Sequence, residues 1–361
     1  MKNDAKDEPE VESKEDTKME EATKDAPAPT EETSKMDTTG EIEPKEDQQA
    51  TTTSNGDNAV EPEAREDETP SSILEKGIIY FFFRARVGVD EPQDVNDIAR
   101  SYIVLRPIPH GAKLGDGPIG DEGNCRLLAL PKKVLPLSGK DRFMIFVEKA
   151  KMSFDTLKSE FLSASDYTTK TAGDRHTPPA TPLAEGIYAI TTTGRESHLA
   201  YIITIPSELG ERQTDVGIRE RGSFVTSAKN PQQSGPAYAS LPQGPEYPQE
   251  ILDEFRSLRW MPLQPKLLDY ANTQFLLIGE SNGIESGTVP QPRDEKNDKE
   301  TPLEEMEKLE GEDEIRVKHL KGESSDLCSY GTGANTWIGD DATFADLGIN
   351  SKDYPKIEST W

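Results

Sequence analysis

The chain has 361 residues, of which 33% are hydrophobic and 30% charged, and its 41 Lys and Arg face 68 Asp and Glu for a formal net charge of −27. Charge of that sign repels nucleic acid and anionic membrane over long range and favours basic protein partners. No apolar run approaches the roughly 18 residues of a membrane span and the first residues, Met-Lys-Asn-Asp-Ala-Lys, do not read as a signal peptide, so an intracellular protein, nuclear or cytoplasmic and not secreted, is expected.

The charge is unevenly placed. Residues 1 to 72 carry 8 basic against 23 acidic side chains and residues 281 to 361 carry 9 against 19, while the stretch between is near neutral. Aromatic residues draw the same boundary: the first is Tyr80, and 19 of 24 lie between Tyr80 and Phe275. A segment this poor in apolar surface cannot offset the entropy of ordering. The expected organisation is a disordered acidic arm over 1–72, one globular domain over 73–281, and a second acidic arm over 282–361. Cys125 and Cys328 fall in different segments, which argues against a disulfide framework.

In chain order, Ile73 to Gly77 leads into Ile78-Ile79-Tyr80-Phe81-Phe82-Phe83-Arg84-Ala85-Arg86-Val87, the strongest strand signal in the sequence. Further strands are predicted at 102–105, 126–130, 143–148, 186–192, 198–205, 223–228 and 273–278, with Gly194-Arg195-Glu196 closing a hairpin. Ser153 caps a helix predicted through Ala164, with Phe154, Leu157, Phe161 and Leu162 on one face. Pro248 opens a second helix, expected to run to Pro262 with Ile251, Leu252, Phe255 and Leu258 as its stripe. Strands mostly follow strands, so the predicted class is α+β: a mostly antiparallel sheet or half-open barrel with two packed helices, flanked by the acidic arms. Beyond the domain, Thr301-Pro302-Leu303-Glu304 has the form of a capping box and predicts a short helix over about 302–310.

Sequence motifs give little chemistry. Gly115-Asp116-Gly117-Pro118-Ile119-Gly120 has the letters of a dinucleotide fingerprint but no strand before it and no helix after it. His110, His176, His198 and His319 have no metal-ligand spacing, and no nucleophile elbow or phosphate loop can be assembled. No cofactor and no metal are expected, and a non-enzymatic role is favoured. An enzyme with a site dispersed over the long loops at 107–123, 171–182 and 229–248 stays open, because acid and base groups assembled in space leave no local signature.

Two clusters are candidate anion or partner sites. Alternation places Tyr80, Phe82, Arg84 and Arg86 on one face of the first strand, a pattern that can stack bases or equally be a covered face ending in two solvated charges. Ten basic residues between Arg100 and Lys151 face five acidic ones. Arg106, Lys132, Lys133, Lys140 and Arg142 from that stretch join Arg84 and Arg86 in an expected basic patch, to be filled by an anionic ligand or screened by an acidic arm. Nucleic acid is thus a second candidate ligand. Phe344 and Leu347, set among carboxylates within 341–349, form a candidate docking motif that folds into a partner's groove or back onto this chain's own core.

Four stretches, Gly77 to Arg84, Ser101 to Pro107, Leu130 to Pro136 and Leu241 to Pro248, together with Phe344 to Gly348, resemble a family of filamentous-fungal proteins labelled "BTB domain transcription factor". The resemblance spans roughly Ser72 to Glu280 and implies a link to transcription or chromatin. The strand-rich core predicted here lacks the helical succession of a BTB domain. The function expected from the whole is an intracellular interaction module whose acidic arms meet basic partners.

Overall fold

The structure, a computed structural model, describes residues 60–169, 173–235, 241–297, 299–320, 357 and 359–361. Most of the expected N-terminal arm, Cys328, and the Phe344 and Leu347 motif lie outside the described residues. In chain order the strands are β1 (Val60–Glu61), β2 (Ile73–Ala85), β3 (Ile98–Ile108), β4 (Lys113–Leu114), β5 (Cys125–Leu130), β6 (Arg142–Met152), β7 (Ser165–Thr169), β8 (Gly173–Thr177), β9 (Ala180–Thr192), β10 (Ser197–Ile205), β11 (Arg221–Lys229), β12 (Trp260–Pro262) and β13 (Gln274–Gly279). The α-helices are α1 (Phe154–Thr156), which continues as a π-turn over Leu157–Leu162, α2 (Glu211–Val216), α3 (Gln249–Glu254), α4 (Ile284–Gly287), α5 (Pro292–Lys296) and α6 (Pro302–Leu320).

The α+β class holds, and the sheet goes one step further than a half-open barrel. Strands pair in the order β10-β9-β2-β3-β5-β6-β13-β11-β12, every neighbour antiparallel, and β10 also pairs with β11 from Ser197 opposite Thr226 to Ile202 opposite Arg221. That last pairing closes eight strands into a ring and leaves β12 as a short extension beside β11. Closure removes the open edges that an antiparallel sheet would otherwise expose. All eight ring strands are those predicted from β-branched and aromatic enrichment; the five short ones carry no such signal.

Alternation sorts the side chains into two layers. Ile79, Phe81 and Phe83 of β2, Leu128 and Leu130 of β5, Tyr188 and Ile190 of β9, and Phe275 and Leu277 of β13 belong to one buried cluster that fills the barrel. Leu135 and Ile218 join that cluster from loops, Val216 from α2, Tyr247 and Phe255 from the residues flanking α3, and Leu267 and Leu268 from the 3-10 turn Pro265–Asp269. The second cluster lies outside the ring, where Ile78, Tyr80, Phe82, Val104 and Leu127 meet Phe154, Leu157, Phe161, Met306 and Leu309. Because β2 is covered on both faces, it reads as a continuous apolar run instead of an alternating one.

The helices correct the sequence expectations in three places. Ser153 caps its helix as predicted, with its hydroxyl accepting from the Thr156 N–H at 3.2 Å, but the helix widens to a π-turn and ends at Leu162. The Pro248 helix stops at Glu254, since Arg256 takes a positive φ of 51° that no α-helix tolerates; Trp260–Pro262 is then a strand and Leu258 is exposed. The Thr301 capping box forms, with Thr301 N–H to Glu304 at 2.8 Å and Glu304 N–H to the Thr301 hydroxyl at 3.2 Å, yet α6 runs to Leu320 and not to about 310. Its buried face continues through Asp313, Arg316 and Val317. The charged pair is held by Thr204, which donates to Asp313 at 2.7 Å, and by Glu185, 3.9 Å from Arg316. The folded body therefore includes α4 to α6 and, at its other end, Val60, Arg65 and Thr69, all buried, so both domain boundaries predicted from charge fall inside it.

Candidate interaction surface

Around the ring, the outer face of β9, β2, β3 and β5 is covered by α6 and by α1 with its π-turn, while α4 packs on β10 and on the Ser223 end of β11. The outer face of β6, β13, β11 and β12 is different. Register sets Ile278 between Arg142 and Val225, and Leu276 between Met144 and Ser227, with Ser227 opposite Pro262. Gln274 pairs with Phe146, and Lys229 with Trp260. Met144, Phe146, Val225, Leu276, Ile278 and Trp260 are each only half-buried, whereas the inward residues Ile145, Val147, Phe275 and Leu277 between them are fully buried. Apolar side chains on both faces of a strand imply cover on both, and apart from α4 at the Ser223 end of β11 no described α-helix packs closely on this sector.

Cations frame the sector. Arg142 is exposed at one corner, Lys229 donates to Gln274 at 3.0 Å at the opposite one, and the Arg100 guanidinium lies 5.9 Å from the centre of the Phe146 ring. Lys140 is exposed on the loop leading into β6, and Lys132 sits 6.0 Å from the Phe143 ring centre. Beyond Lys229 the long loop predicted at 229–248 borders a cleft of about 230 Å³, lined by Gln233, Leu241, Gly244, Pro245 and Gln274. Lys229 is the one ionisable group among its described lining residues, too few for the acid and base pair a dispersed active site needs.

The expected basic patch is not one patch. Tyr80 and Phe82 are buried beneath the π-turn, Phe82 in edge contact with Phe161, so these rings do not form an open stacking face. Arg84 is half-buried over Phe161 and donates to the Phe161 and Pro178 carbonyls. Arg86 is exposed. Arg106 is buried against Phe154 at 4.4 Å and donates to the carbonyls of Ile119 at 2.6 Å and Gly120 at 2.8 Å. Arg84 pairs with Arg100, six residues from Arg106 along β3, which separates the Arg84 and Arg106 backbones by about 20 Å. Lys133 donates to Asn96 at 2.5 Å. Lys132, beside the Phe143 ring, and Lys140 and Arg142, at the start of β6, are exposed.

Two other polar groupings are built into the fold. The Glu280 carboxylate accepts from the Ser223 hydroxyl at 2.5 Å and lies 3.0 Å from His198 Nδ1, both at the same oxygen. The carboxylate thus stands between serine and imidazole, where a nucleophilic serine would need the imidazole itself as its base. Gly287 of α4 is seated on this group so closely that a Cβ there would lie 2.3 Å from the Ser223 hydroxyl, which fits a clamp on α4. Inside the barrel, Arg126 binds Glu75 at 2.6 and 2.8 Å and Asp269 at 2.7 Å, and the Tyr188 hydroxyl donates to Glu75 at 2.8 Å. Burial pushes the Tyr188 hydroxyl well above the ordinary tyrosine value, so it serves as a proton-holding donor. Among the described residues, no three His, Cys, Asp or Glu side chains converge as a metal site.

Cys125 is fully buried on β5, and burial pushes its thiol up to about 12. Thiolate is the reactive form, so this cysteine should resist iodoacetamide at pH 8 in the native protein and react once urea unfolds it, a result peptide mapping reads directly. Rapid native labelling at Cys125 would show that β5 opens.

The uncovered sector was missed from sequence because its residues look like core. The available signal is alternation in β6, where inward Phe143, Ile145 and Val147 interleave with outward Arg142, Met144, Phe146 and Glu148. No helix among the described residues is long and apolar enough to cross a membrane. Comparison with protein-family models, with curated proteins and with solved structures finds no match to this chain.

Proposed function

We propose that this chain is a protein-interaction module whose binding surface is the outer face of β6, β13, β11 and β12. The partner is a protein segment carrying apolar side chains flanked by carboxylates. One observation carries the reading: a contiguous, half-buried apolar sector, Met144, Phe146, Val225, Leu276, Ile278 and Trp260, edged by Arg142, Arg100 and Lys229 in a protein of net charge −27. Cations around apolar residues, with Arg100 also paired to Glu148 at 3.8 Å, give charge complementarity to an acidic partner and set orientation and on-rate, while the apolar centre supplies the affinity. The filled interior supports the same reading, since it leaves recognition to the outside. The acidic ends of the sequence engage or screen basic partners, and the setting is the nucleus or cytoplasm. A link to transcription or chromatin rests on the resemblance at Gly77 to Arg84 and the other three stretches.

A labelled synthetic peptide alternating leucine with aspartate serves as probe. Leu276→Glu places a carboxylate in the centre of the face and is expected to weaken binding at least tenfold while leaving the melting temperature within a few degrees. Arg142→Glu should weaken it less and flatten its salt dependence. Unchanged binding in Leu276→Glu would refute the surface.

A further inference from the structure

The last described residues form an ordered contact with the barrel rim. Ile357 is buried with Ile205 and Val317. The Ser359 carbonyl accepts from the Arg212 backbone N–H at 3.0 Å, at the start of α2. The Trp361 indole N–H donates to Asp215 at 2.9 Å, its ring lies 6.0 Å from Phe83, and the Arg212 guanidinium sits 5.2 Å from its centre. Thr360 between them is exposed. Contacts at 357, 359 and 361 with exposure at 360 follow the period of two of an extended peptide.

The receiving side is shaped for that peptide. Gly210 precedes α2 at φ −95°, a value open to any residue, so backbone conformation does not demand glycine there. Space does: a Cβ on Gly210 would lie 2.4 Å from the Ser359 carbonyl oxygen and 2.3 Å from its Cβ. The notch thus combines an apolar seat, a backbone donor, an aromatic slot between Phe83 and Arg212, and a carboxylate at the depth of the indole nitrogen.

We propose that this notch, built by Ile205, Gly210, Arg212, Asp215 and Phe83, is a peptide-recognition site for an extended segment of the pattern apolar-x-Ser-x-Trp, occupied in cis by residues 357–361. It is separate from the β6, β13, β11 and β12 face and does not depend on it. The segment belongs to the same chain as the notch, so cis occupancy is an intramolecular binding event against which a competing peptide must bind.

The test uses the full chain and a fluorescein-labelled peptide of residues 356–361. Trp361→Ala removes the main anchor of the cis segment, and the labelled peptide is expected to bind that variant at least tenfold more tightly than the unaltered chain. Adding Gly210→Val to Trp361→Ala should abolish binding, and adding Asp215→Ala should weaken it severalfold. Absence of saturable binding to folded Trp361→Ala, or binding that Gly210→Val leaves intact, overturns the proposal. An independent reading comes from Gly210→Val alone in a chain with Trp260 and Trp337 changed to Phe: its remaining emission, from Trp361, should shift to the red as the indole leaves the slot. No shift would likewise overturn it.

Discussion

Arg126→Met is expected to lower stability by about 3–5 kcal/mol, because it leaves the Glu75 carboxylate inside the barrel without its cation. Arg126 binds both oxygens of Glu75, at 2.6 and 2.8 Å, and the guanidinium is almost fully buried. Asp269, its other partner, is about one-third exposed and can be rehydrated, so the loss is concentrated at Glu75. Tyr188 still donates to Glu75, but one neutral hydroxyl replaces little of what a guanidinium supplies. The double change Arg126→Met with Glu75→Met is expected to recover much of the loss, since an apolar pair of similar volume in place of a buried ion pair is often neutral or better. Urea unfolding of the two variants measures this. A single variant costing under about 1 kcal/mol would mean that water reaches the site and that the barrel is not packed as described.

Glu305→Gln is the second large effect, and it reports on α6. Glu305 is fully buried and binds Lys76 at 2.5 Å and Arg65 at 3.3 Å, joining the helix to β2 and to the segment before it. Without that negative charge Lys76 is left with neutral acceptors, the Ala112 carbonyl at 2.8 Å and the amide oxygen at position 305, and a loss of about 3–5 kcal/mol is expected for a buried ammonium without its counter-charge. The pH dependence gives a signature. Burial lowers the Lys76 pKa from the ordinary 10.5, with Glu305 opposing the shift, so removing Glu305 lowers it further. A lysine that binds its proton less well folded than unfolded costs stability while it is charged in both states. The cost is relieved as pH rises from the lowered folded value towards 10.5. The variant should therefore regain stability relative to wild type between neutral pH and about pH 10. A constant difference across that range would mean Lys76 is hydrated. Hydrogen exchange should show residues 302–320 opening first, because α6 is held to the barrel at this point and at Asp313 and Arg316.

The ring strands were legible because each is a run of β-branched and aromatic residues long enough to span the barrel, and β2 is the extreme case. Closure was not, since nothing in Ser197–Ile202 or Arg221–Thr226 distinguishes a strand that pairs with a third neighbour from one at an edge. The reach of α6 was hidden for a chemical reason. Asp313 and Arg316 read as solvent-facing charge, and only their ion pair with each other and with Glu185 and Thr204 makes them core. The same confusion ran the other way at Arg106, which local composition places in a surface patch and the fold places beneath Phe154. Charge counts along a sequence locate a boundary only where charges stay in water, and Asp294, Glu305, Asp313 and Arg316 do not. The candidate surface depends on which strands have helices over them, a property of tertiary packing that no single strand carries.

The most direct test of the central claim is methyl NMR of the full chain, labelled at Ile, Leu, Val and Met, titrated with the leucine-aspartate peptide and with a leucine-lysine control. Shifts confined to Met144, Val225, Leu276 and Ile278, saturable with the acidic peptide, weakened by salt and absent with the basic control, are the predicted result. Perturbations centred instead on the α6 side, at Met306 and Leu309, or spread evenly over the barrel, would contradict it.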